Sequence, residues 1–350
     1  MCRVDHGLGT LTRNDTLKKS AWLVSLAGLL LFAAVVGYQG IGAVSAAVAV
    51  VGWGLVWINL VHLAPLVVDT YAWQILLDRR HRVGLGRLTG ISWIGEAVNS
   101  LLPVALIGGG LVRARLLSHA HVPAAISGAA VVVDLTVAVI SLILFSFAGV
   151  AVLLSHALPG HTSAQLLPGL FVFSLLVYGF YVAQRRGMFL KLARRIEKMS
   201  GSGTGGALSS DAARLDRRVA EIYERRPDFW IALLVRLLGW VIGAAEVWLA
   251  LRYLGHPVSL VEALMLESLG QAIRSAAFVV PGALGVQEGA YLVLGASIGI
   301  APHIGVALSL VKRVRELSFG VPALLLWHGL EVRRFRQRPG RKSFIVGGSQ

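Results

Sequence analysis

Runs of about 20 predominantly apolar residues begin at Ala21 and recur almost to the end of the 350-residue chain. A helix of roughly 20 such residues crosses the ~30 Å hydrocarbon core of a bilayer. Because 56% of the residues are hydrophobic and only 15% are charged, little sequence remains for a separate soluble domain. The sequence therefore predicts an all-α polytopic membrane protein with about 7–8 membrane segments.

The predicted segments divide the chain into two membrane halves. The first half covers 21–184 and the second covers 229–330. A hydrophilic tail, 1–20, precedes them, a basic linker, 185–228, separates them, and a basic tail, 331–350, follows. Uninterrupted spans are predicted at 21–38, 53–76, 122–154, 166–184 and 229–251. The final long segment, 302–330, is interrupted by Lys312, Arg313, Arg315 and Glu316. The Gly/Ser run at 200–206 predicts a flexible connection within the linker.

The positive charge is confined to particular connections between the spans. The net charge is +15, and 25 of the 33 Lys and Arg residues fall in 1–20, 77–90, 185–228 and 331–350. Connections 39–52 and 156–165 contain none. Because positive loops stay on the cytoplasmic side, both termini and the central linker are predicted to be cytoplasmic. This placement explains the charge better than a nucleic-acid partner does, so none is expected.

Two apolar stretches are broken by proline and glycine and then followed by charge. These are Pro103-Val-Ala-Leu-Ile-Gly-Gly-Gly110 with Arg113, and Pro281-Gly-Ala-Leu-Gly285 with Glu288. In lipid, unpaired backbone groups of a broken helix are tolerated where protein or a water-filled cavity surrounds them. The sequence predicts a re-entrant hairpin beginning at 91–102 and an interrupted helix at 259–300. The alternative is that both breaks are loops capping ordinary helices.

The two halves share an order in which a span precedes a polar, broken helix and then further spans. Such corresponding breaks mark the substrate site in secondary transporters built from repeats. Sequence similarity between the halves is slight, since Glu96 precedes Pro103 by 7 residues and Glu267 precedes Pro281 by 14. An internal repeat is therefore a hypothesis.

Carboxylates are frequent within the predicted membrane segments. A charge at mid-bilayer costs at least ~2.5–3.5 kcal/mol, so each requires a partner, a proton or water. The bland interpretation is that these acids pair with nearby cations and hold helices together; Lys312 and Glu316, spaced i and i+4, are expected to pair in this way. The eight acids are Asp69, Glu96, Asp134, Glu246, Glu262, Glu267, Glu288 and Glu316.

Helical spacing places several polar residues on common faces. Glu267, Gln271 and Arg274 lie at i, i+4 and i+7, whereas Glu96, Asn99 and Pro103 lie at i, i+3 and i+7. Each stripe is predicted to face the bundle interior and to line a path for a lipid headgroup while the tails remain in the bilayer. Arginine would bind phosphate bidentately, and helix starts after the glycine-rich breaks would offer N–H groups to an anion.

Signals for catalysis are poor. The ten histidines are scattered, and the chain has neither an HExxH motif nor a G-x-S-x-G nucleophile elbow. No catalytic residue, metal ligand or cofactor is predicted. The single cysteine, Cys2, excludes a disulfide within the chain.

Two strings of residues resemble a known family. They are Trp93-Ile-Gly-Glu-Ala-Val-Asn-Ser-Leu-Leu-Pro103 with Ile107-Gly-Gly-Gly-Leu-Val-Arg-Ala-Arg-Leu-Leu117, and Val280-Pro-Gly-Ala-Leu-Gly-Val-Gln-Glu-Gly289. Both are similar to the transmembrane region of lysylphosphatidylglycerol synthases and their flippase-like relatives, the second through that family's Pro-Gly-x-x-Gly-x-x-Glu signature. Within the family, the chain most resembles the hopanoid-associated HpnL membrane proteins.

The resemblance implies a multi-pass protein of the bacterial inner membrane, with the broken segments near a lipid path. The synthases also carry a soluble aminoacyl-transfer domain, whereas this chain ends about 20 residues after its last predicted span, so transferase activity is not expected. The residues matching the family are Glu96, Asn99, Pro103, Gly108, Arg113, Pro281, Gly282, Gly285 and Glu288. With Glu267, Gln271 and Arg274 from the polar stripe, they form the predicted lipid-binding set.

The leading hypothesis is translocation of a hopanoid or phospholipid between leaflets, with membrane lipid as the partner. One alternative is an integral-membrane enzyme that modifies a lipid headgroup or polyprenyl carrier, with Glu96, Glu267 or Glu288 as the acid or base. The other is a non-catalytic subunit that recruits enzymes of hopanoid or envelope-lipid biosynthesis through the basic linker.

Overall fold

The computed structural model describes residues 49–102, 108–156, 166–200, 207–277, 283 and 285–337. These residues form eleven α-helices and a 3₁₀ turn and contain no strand, which confirms the all-α prediction. The first half contains α1 (Gly54–Leu76), the 3₁₀ turn (Arg79–His81), α2 (Leu85–Leu101), α3 (Gly108–Ser118), α4 (Ala124–His156) and α5 (Leu166–Arg185). Next come α6 (Met188–Ser200), α7 (Ala207–Glu224), α8 (Arg226–Tyr253), α9 (Leu260–Ala276), α10 (Val286–Ala296) and α11 (Pro302–Gln337).

Three described helices are long and apolar enough to cross a membrane: α1, α4 and α8. The predicted span 21–38 lies outside the described residues. Helices α2 and α9 have 17 residues each, and α3 and α10 have 11 each. These four are shorter than the ~20 residues that a perpendicular crossing requires. Helix α11 is 36 residues long but carries buried charges near its middle.

Helix α2 begins at Leu85, six residues before the predicted start at 91. The sequence placed 78–90 in a cytoplasmic loop because of its arginines. Leu88 is nevertheless fully buried and belongs to the same apolar cluster as Ile91 and Ile94. Burial of this apolar face therefore extends the helix beyond the apolar run, since tertiary packing overrides local polarity.

The start of α9 explains one of the eight carboxylates. Ser259 is the N-cap residue, and its hydroxyl accepts from the Glu262 backbone N–H at 3.2 Å. The Glu262 carboxylate accepts from the Ser259 backbone N–H at 2.7 Å. This is a capping box, in which each side chain satisfies a backbone donor at the helix start. Glu262 therefore has a structural role at the surface.

The order and lengths of the helices in 54–156 recur in 226–337. The series of 17, 11 and 33 residues in α2, α3 and α4 is matched by 17, 11 and 36 in α9, α10 and α11. The packing is exchanged between halves, because α2 packs on α11 and α9 packs on α4. Helices α1 and α8 run antiparallel, since Gly54 lies against Tyr253 and Arg225 donates to the Leu76 carbonyl at 2.6 Å.

Two apolar clusters form the core. One contains Trp73 and Leu88, together with the first part of α4 and the end of α7. The other contains Ile58 and Leu308, together with the end of α8 and much of α9. Along α11 the charged segment 312–316 follows Val311 of the second cluster and precedes Ala323 of the first. The charges of α11 therefore lie between the two apolar regions.

The predicted linker is helical over most of its described length. Helix α6 packs on α7, and α7 packs on α4. Val219, Ile222 and Tyr223 of α7 are buried in the first apolar cluster. At the start of α6, the Asp216 carboxylate accepts from the Leu190 backbone N–H at 2.7 Å. Of the connection 200–206, predicted to be flexible, Ser200 ends α6 and 201–206 lie outside the described residues.

Candidate functional site

The site is organised around four charged residues in the middle of α11. Lys312, Arg313, Arg315 and Glu316 are each at most 5% exposed. Burying a charge is costly unless the charge is paired and hydrogen-bonded. Partners reach this segment from α1, α2, α8, α9 and α10, as described below. We call the assembly the central charge cluster.

Helix α9 provides the partner of Lys312. The Lys312 Nζ lies 2.5 Å from the Glu267 Oε2, and the Gln271 side-chain amide donates to the Glu267 Oε1 at 2.9 Å. The expected Lys312–Glu316 pair is therefore wrong. The two residues are one turn apart on α11, but Glu316 is engaged by two arginines, and Lys312 instead reaches across to α9.

The predicted α9 stripe faces α11 and α10. Arg274 forms an ion pair with Glu316 and donates to the Gln287 side-chain oxygen at 3.3 Å. Arg313 also reaches Glu316, at 3.4 Å. Together with the Glu267 contacts, these interactions confirm that Glu267, Gln271 and Arg274 share one interior helix face.

Glu288 joins the cluster from the first turn of α10. Its Oε1 lies 3.7 Å from the Arg313 Nε and accepts from the Ser309 hydroxyl at 3.1 Å. The residue before this helix, Gly285, has φ +77°, in the left-handed region that glycine adopts without strain. The sequence feature Gly285 to Glu288 therefore turns the chain so that a carboxylate points at α11. Pro281 and Gly282 lie outside the described residues.

Arg315 connects the cluster to the first half of the chain. Its Nε lies 3.0 Å from the Glu246 Oε1 on α8, and its Nη1 lies 3.5 Å from the Glu96 Oε1 on α2. His62 on α1 lies between the same two acids. Its Nε2 is 2.8 Å from Glu96, and its Nδ1 is 2.9 Å from Glu246. The structure thus brings Glu96 into one network with Glu267, Gln271, Arg274 and Glu288.

The network has an accessible end and a buried interior. The Glu96 side chain is 34% exposed, whereas those of Glu246 and Glu316 are 5% and 4% exposed. Glu288 and Arg274 are 20% and 19% exposed, so the cluster is most exposed at Glu96.

A second charged group involves Arg113. Its Nη2 lies 2.7 Å from the Oδ2 of the fully buried Asp134 on α4, and its guanidinium lies over the Trp73 ring at 4.0 Å from the ring centroid. Arg236 of α8 lies between Asp134 and Asp69, 3.7 Å from each. The predicted headgroup residue Arg113 is therefore engaged by an acid and an aromatic face within the protein.

Helices α2 and α3 form a tight antiparallel pair. Gly95 and Gly109 face one another so closely that a Cβ at Gly109 would collide with the Gly95 carbonyl and the Asn99 side chain. The Asn99 Oδ1 accepts from the Gly109 backbone N–H at 2.8 Å. Gly108 is the first residue of α3 and is partly buried. One of the N–H groups expected to meet an anion is therefore used by Asn99, and Pro103 lies outside the described residues.

Sequence reasoning missed His62, Glu246, Lys312 and Arg315 as site residues. The histidines lack metal-binding spacing, so spacing alone does not distinguish His62 from the others. The available signal was that His62 and Glu246 are isolated polar residues within otherwise apolar spans, where such residues are rare and face the bundle interior. Their spacing along the chain does not show that these residues, which lie on three different helices, contact one another in the fold.

A separate cavity of about 400 Å³ lies between the C-terminal ends of α1 and α7 and the N-terminal end of α4. None of the nine predicted lipid-binding residues that the structure describes lines it. Its lining consists of Leu76, Asp78, Arg79, Arg80, Ile126, Ala129, Arg218, Glu221, Ile222, Arg225 and Asp228.

Comparison with known families identified one match. The family model described as the lysylphosphatidylglycerol synthase TM region matches residues 25–323. Comparisons with curated proteins and with solved structures gave no significant match.

Proposed function

Since the chain belongs to the family of lysylphosphatidylglycerol synthase transmembrane regions, we propose that it is a flippase-like protein of the bacterial inner membrane. Its substrate in this proposal is a hopanoid or phospholipid that moves between leaflets. The motif resemblance to hopanoid-associated HpnL proteins favours the hopanoid. Both termini face the cytoplasm, membrane lipid is the partner, and no chemical step is involved.

The central charge cluster carries this proposal. Buried ion pairs join α11 to five other helices. Such pairs contribute little net stability, because the cost of desolvating the charges can offset their Coulomb attraction. In membrane segments such residues commonly mark the path of a polar substrate. Glu96 provides an accessible end, and the apolar clusters on either side match a substrate with a polar head and apolar tails.

Two arginines offer donors to a headgroup phosphate. The Nε and Nη2 of Arg313 are buried and have no hydrogen-bond partner among the described residues, and the same is true of the Nε of Arg236. Their contacts with Glu288, Asp69 and Asp134 are 3.7 Å, longer than a direct hydrogen bond. Because arginine binds phosphate bidentately, Arg313 is the proposed phosphate-binding residue for a phospholipid substrate. A hopanoid that carries no phosphate would not use this contact.

The matching helix series supports an inverted internal repeat. Helices α1 and α8 are antiparallel, and the series that follows each has nearly the same lengths. In transporters of this type, interrupted helices meet at the repeat interface and alternating access occurs around the site. We propose that α2–α3 and α9–α10 are re-entrant hairpins that bring the total to about 7–8 membrane segments.

The test is translocation of fluorescent NBD-phosphatidylglycerol, and of an NBD-hopanoid, in vesicles containing purified protein, with dithionite reporting the outer leaflet. We expect faster translocation than in empty vesicles. Arg313→Gln should slow translocation of NBD-phosphatidylglycerol about tenfold, which corresponds to loss of ~1.4 kcal/mol from a charged hydrogen bond. The matched control is Arg217→Gln, at an exposed arginine of α7.

Thermal unfolding of each variant in detergent must show that Arg313→Gln remains folded. Equal rates in protein-containing and empty vesicles for both lipids would refute the proposal. Mass spectrometry of the recovered lipid covers the alternative, because a change in mass would identify an enzyme acting on the headgroup.

A further inference from the structure

The two neighbours of His62 Nε2 require opposite protonation states. Glu96 Oε1 lies 2.8 Å from this nitrogen, and the Arg315 Nη1 lies 3.0 Å from it. A carboxylate only accepts hydrogen bonds, so a contact with ionised Glu96 needs a proton on Nε2. A guanidinium only donates, so the contact with Arg315 needs Nε2 to be bare. Both bonds cannot be made at once.

We propose that His62 is the proton-binding group that couples lipid movement to a proton gradient, with Nε2 exchanging Arg315 for Glu96 when it gains a proton. In the neutral ring, Nε2 accepts from Arg315 and the Nδ1–H donates to Glu246. In the imidazolium, Nε2–H donates to Glu96, and Nδ1–H still donates to Glu246. The coupling role rests on the proposed function, whereas the exchange itself rests on the geometry.

The ring is held so that the exchange is local. Phe319 packs edge-on against His62, with centroids 4.9 Å apart and rings at 88°. The Nδ1 is fixed by Glu246 at 2.9 Å, and Glu246 is itself 3.0 Å from the Arg315 Nε. Only the partner of Nε2 therefore changes. Glu96 is the most exposed of the three charged neighbours of the ring, so in this proposal protons enter from its side.

Three charged side chains contact His62, each from a different helix. They are Glu96 from α2, Glu246 from α8 and Arg315 from α11. Helix α4 also packs against α1, and its Asp134 pairs with Arg113 and Arg236. On α1 itself, Asp69 pairs with Arg236.

The exchange bears directly on the first broken segment. Glu96 lies on α2 three residues before Asn99, which binds the first turn of α3. With His62 protonated, Glu96 ties α2 to α1. When His62 is neutral, the cation that still contacts Glu96 among the described residues is Arg315, at 3.5 Å. Arg315 is shared with Glu246, so its hold on Glu96 is weaker. Proton release therefore weakens the attachment of the α2–α3 pair to α1.

Transport under an imposed pH difference tests the coupling. The probe is NBD-phosphatidylglycerol in vesicles containing the full chain, with its leaflet ratio measured at steady state. If one proton accompanies each lipid, a difference of one pH unit shifts the ratio by up to about tenfold. His62→Gln, which keeps polar atoms but does not titrate, should give the same ratio with and without the gradient. His303→Gln, at an exposed histidine, should respond as the wild type does.

A second measurement does not depend on transport. In ¹⁵N-histidine-labelled full-length protein, with His62→Gln used for assignment, the Nε2 resonance of His62 should change from protonated to bare between about pH 5 and pH 11. A resonance that stays in one state across this range overturns the inference. If the wild-type protein moves lipid without responding to the pH gradient, the proton coupling is wrong although the proposed function stands. If the wild-type protein moves no lipid, the proposed function fails, and the titration still decides whether His62 exchanges a proton.

Discussion

Removing one member of the Lys312–Glu267 pair should destabilise the protein more than removing both. The side chains are 2% and 5% exposed, so either single change leaves a buried charge without its partner. Such a loss typically costs ~3–5 kcal/mol. For Lys312→Met, the low end is expected, because Gln271 still donates to Glu267 at 2.9 Å.

The double variant, Lys312→Met with Glu267→Met, removes both charges. Replacing a buried pair by apolar side chains is often neutral or stabilising, although Gln271 would lose its acceptor at a cost of ~1–3 kcal/mol. We therefore expect a net loss of at most about 3 kcal/mol, whereas independent effects would add to at least ~6 kcal/mol. The difference is the coupling energy of the pair.

The four proteins of this cycle can be compared by equilibrium unfolding in mixed detergent micelles, followed by tryptophan fluorescence. Glu221→Gln provides a matched control, since the Arg218–Glu221 side chains are 45% and 44% exposed and such pairs contribute at most ~1 kcal/mol. A double variant whose loss equals the sum of the single losses would show that Lys312 and Glu267 do not stabilise one another.

Three further predictions concern other parts of the chain. Gly109→Val should separate α2 from α3 and lower the thermal unfolding temperature. Gly90→Ala should be neutral or stabilise by up to ~1 kcal/mol, because nothing lies within 4 Å of an added Cβ there. Equal effects of the two variants would contradict the close contact at Gly109. Ser209 donates to the Glu197 carboxylate through its hydroxyl and its backbone N–H, which lowers the pKa of Glu197. The resulting stabilisation is present at neutral pH and is lost as the pH falls through that lowered pKa. Ser209→Ala should therefore raise the Glu197 pKa measured by ¹³C NMR, and an unchanged pKa would exclude this cause. A membrane-impermeant maleimide should label Cys2 in inside-out vesicles but not in spheroplasts, because the basic N-terminal tail is predicted to be cytoplasmic; the reverse would invert the topology.

Much of the fold follows from local sequence. Hydrophobic runs predicted α1, α4 and α8 to within a few residues, because a membrane helix satisfies its own backbone and needs no distant partner. The capping box at Ser259 and Glu262 likewise depends on neighbouring residues alone. The early start of α2 was not predicted, since burial of Leu88 depends on helices distant in sequence.

The site was predicted less completely than the fold. Helical spacing correctly placed Glu267, Gln271 and Arg274 on one interior face. The same reasoning paired Lys312 with Glu316, whereas the structure joins Lys312 to Glu267 and Glu316 to Arg274. Spacing shows which side chains share a face, but it does not show which distant helix provides a closer countercharge.

The sequence by itself determined that this chain is helical, apolar and interrupted by polar residues at membrane depth, because these properties depend on composition and on intervals of a few residues. Tertiary structure alone decided that His62, Glu96, Glu246 and Arg315 meet, since they come from four helices separated by as many as 253 positions. Coulomb attraction acts over a few ångströms in space regardless of separation along the chain, so only the packing of the helices decides which charges become partners.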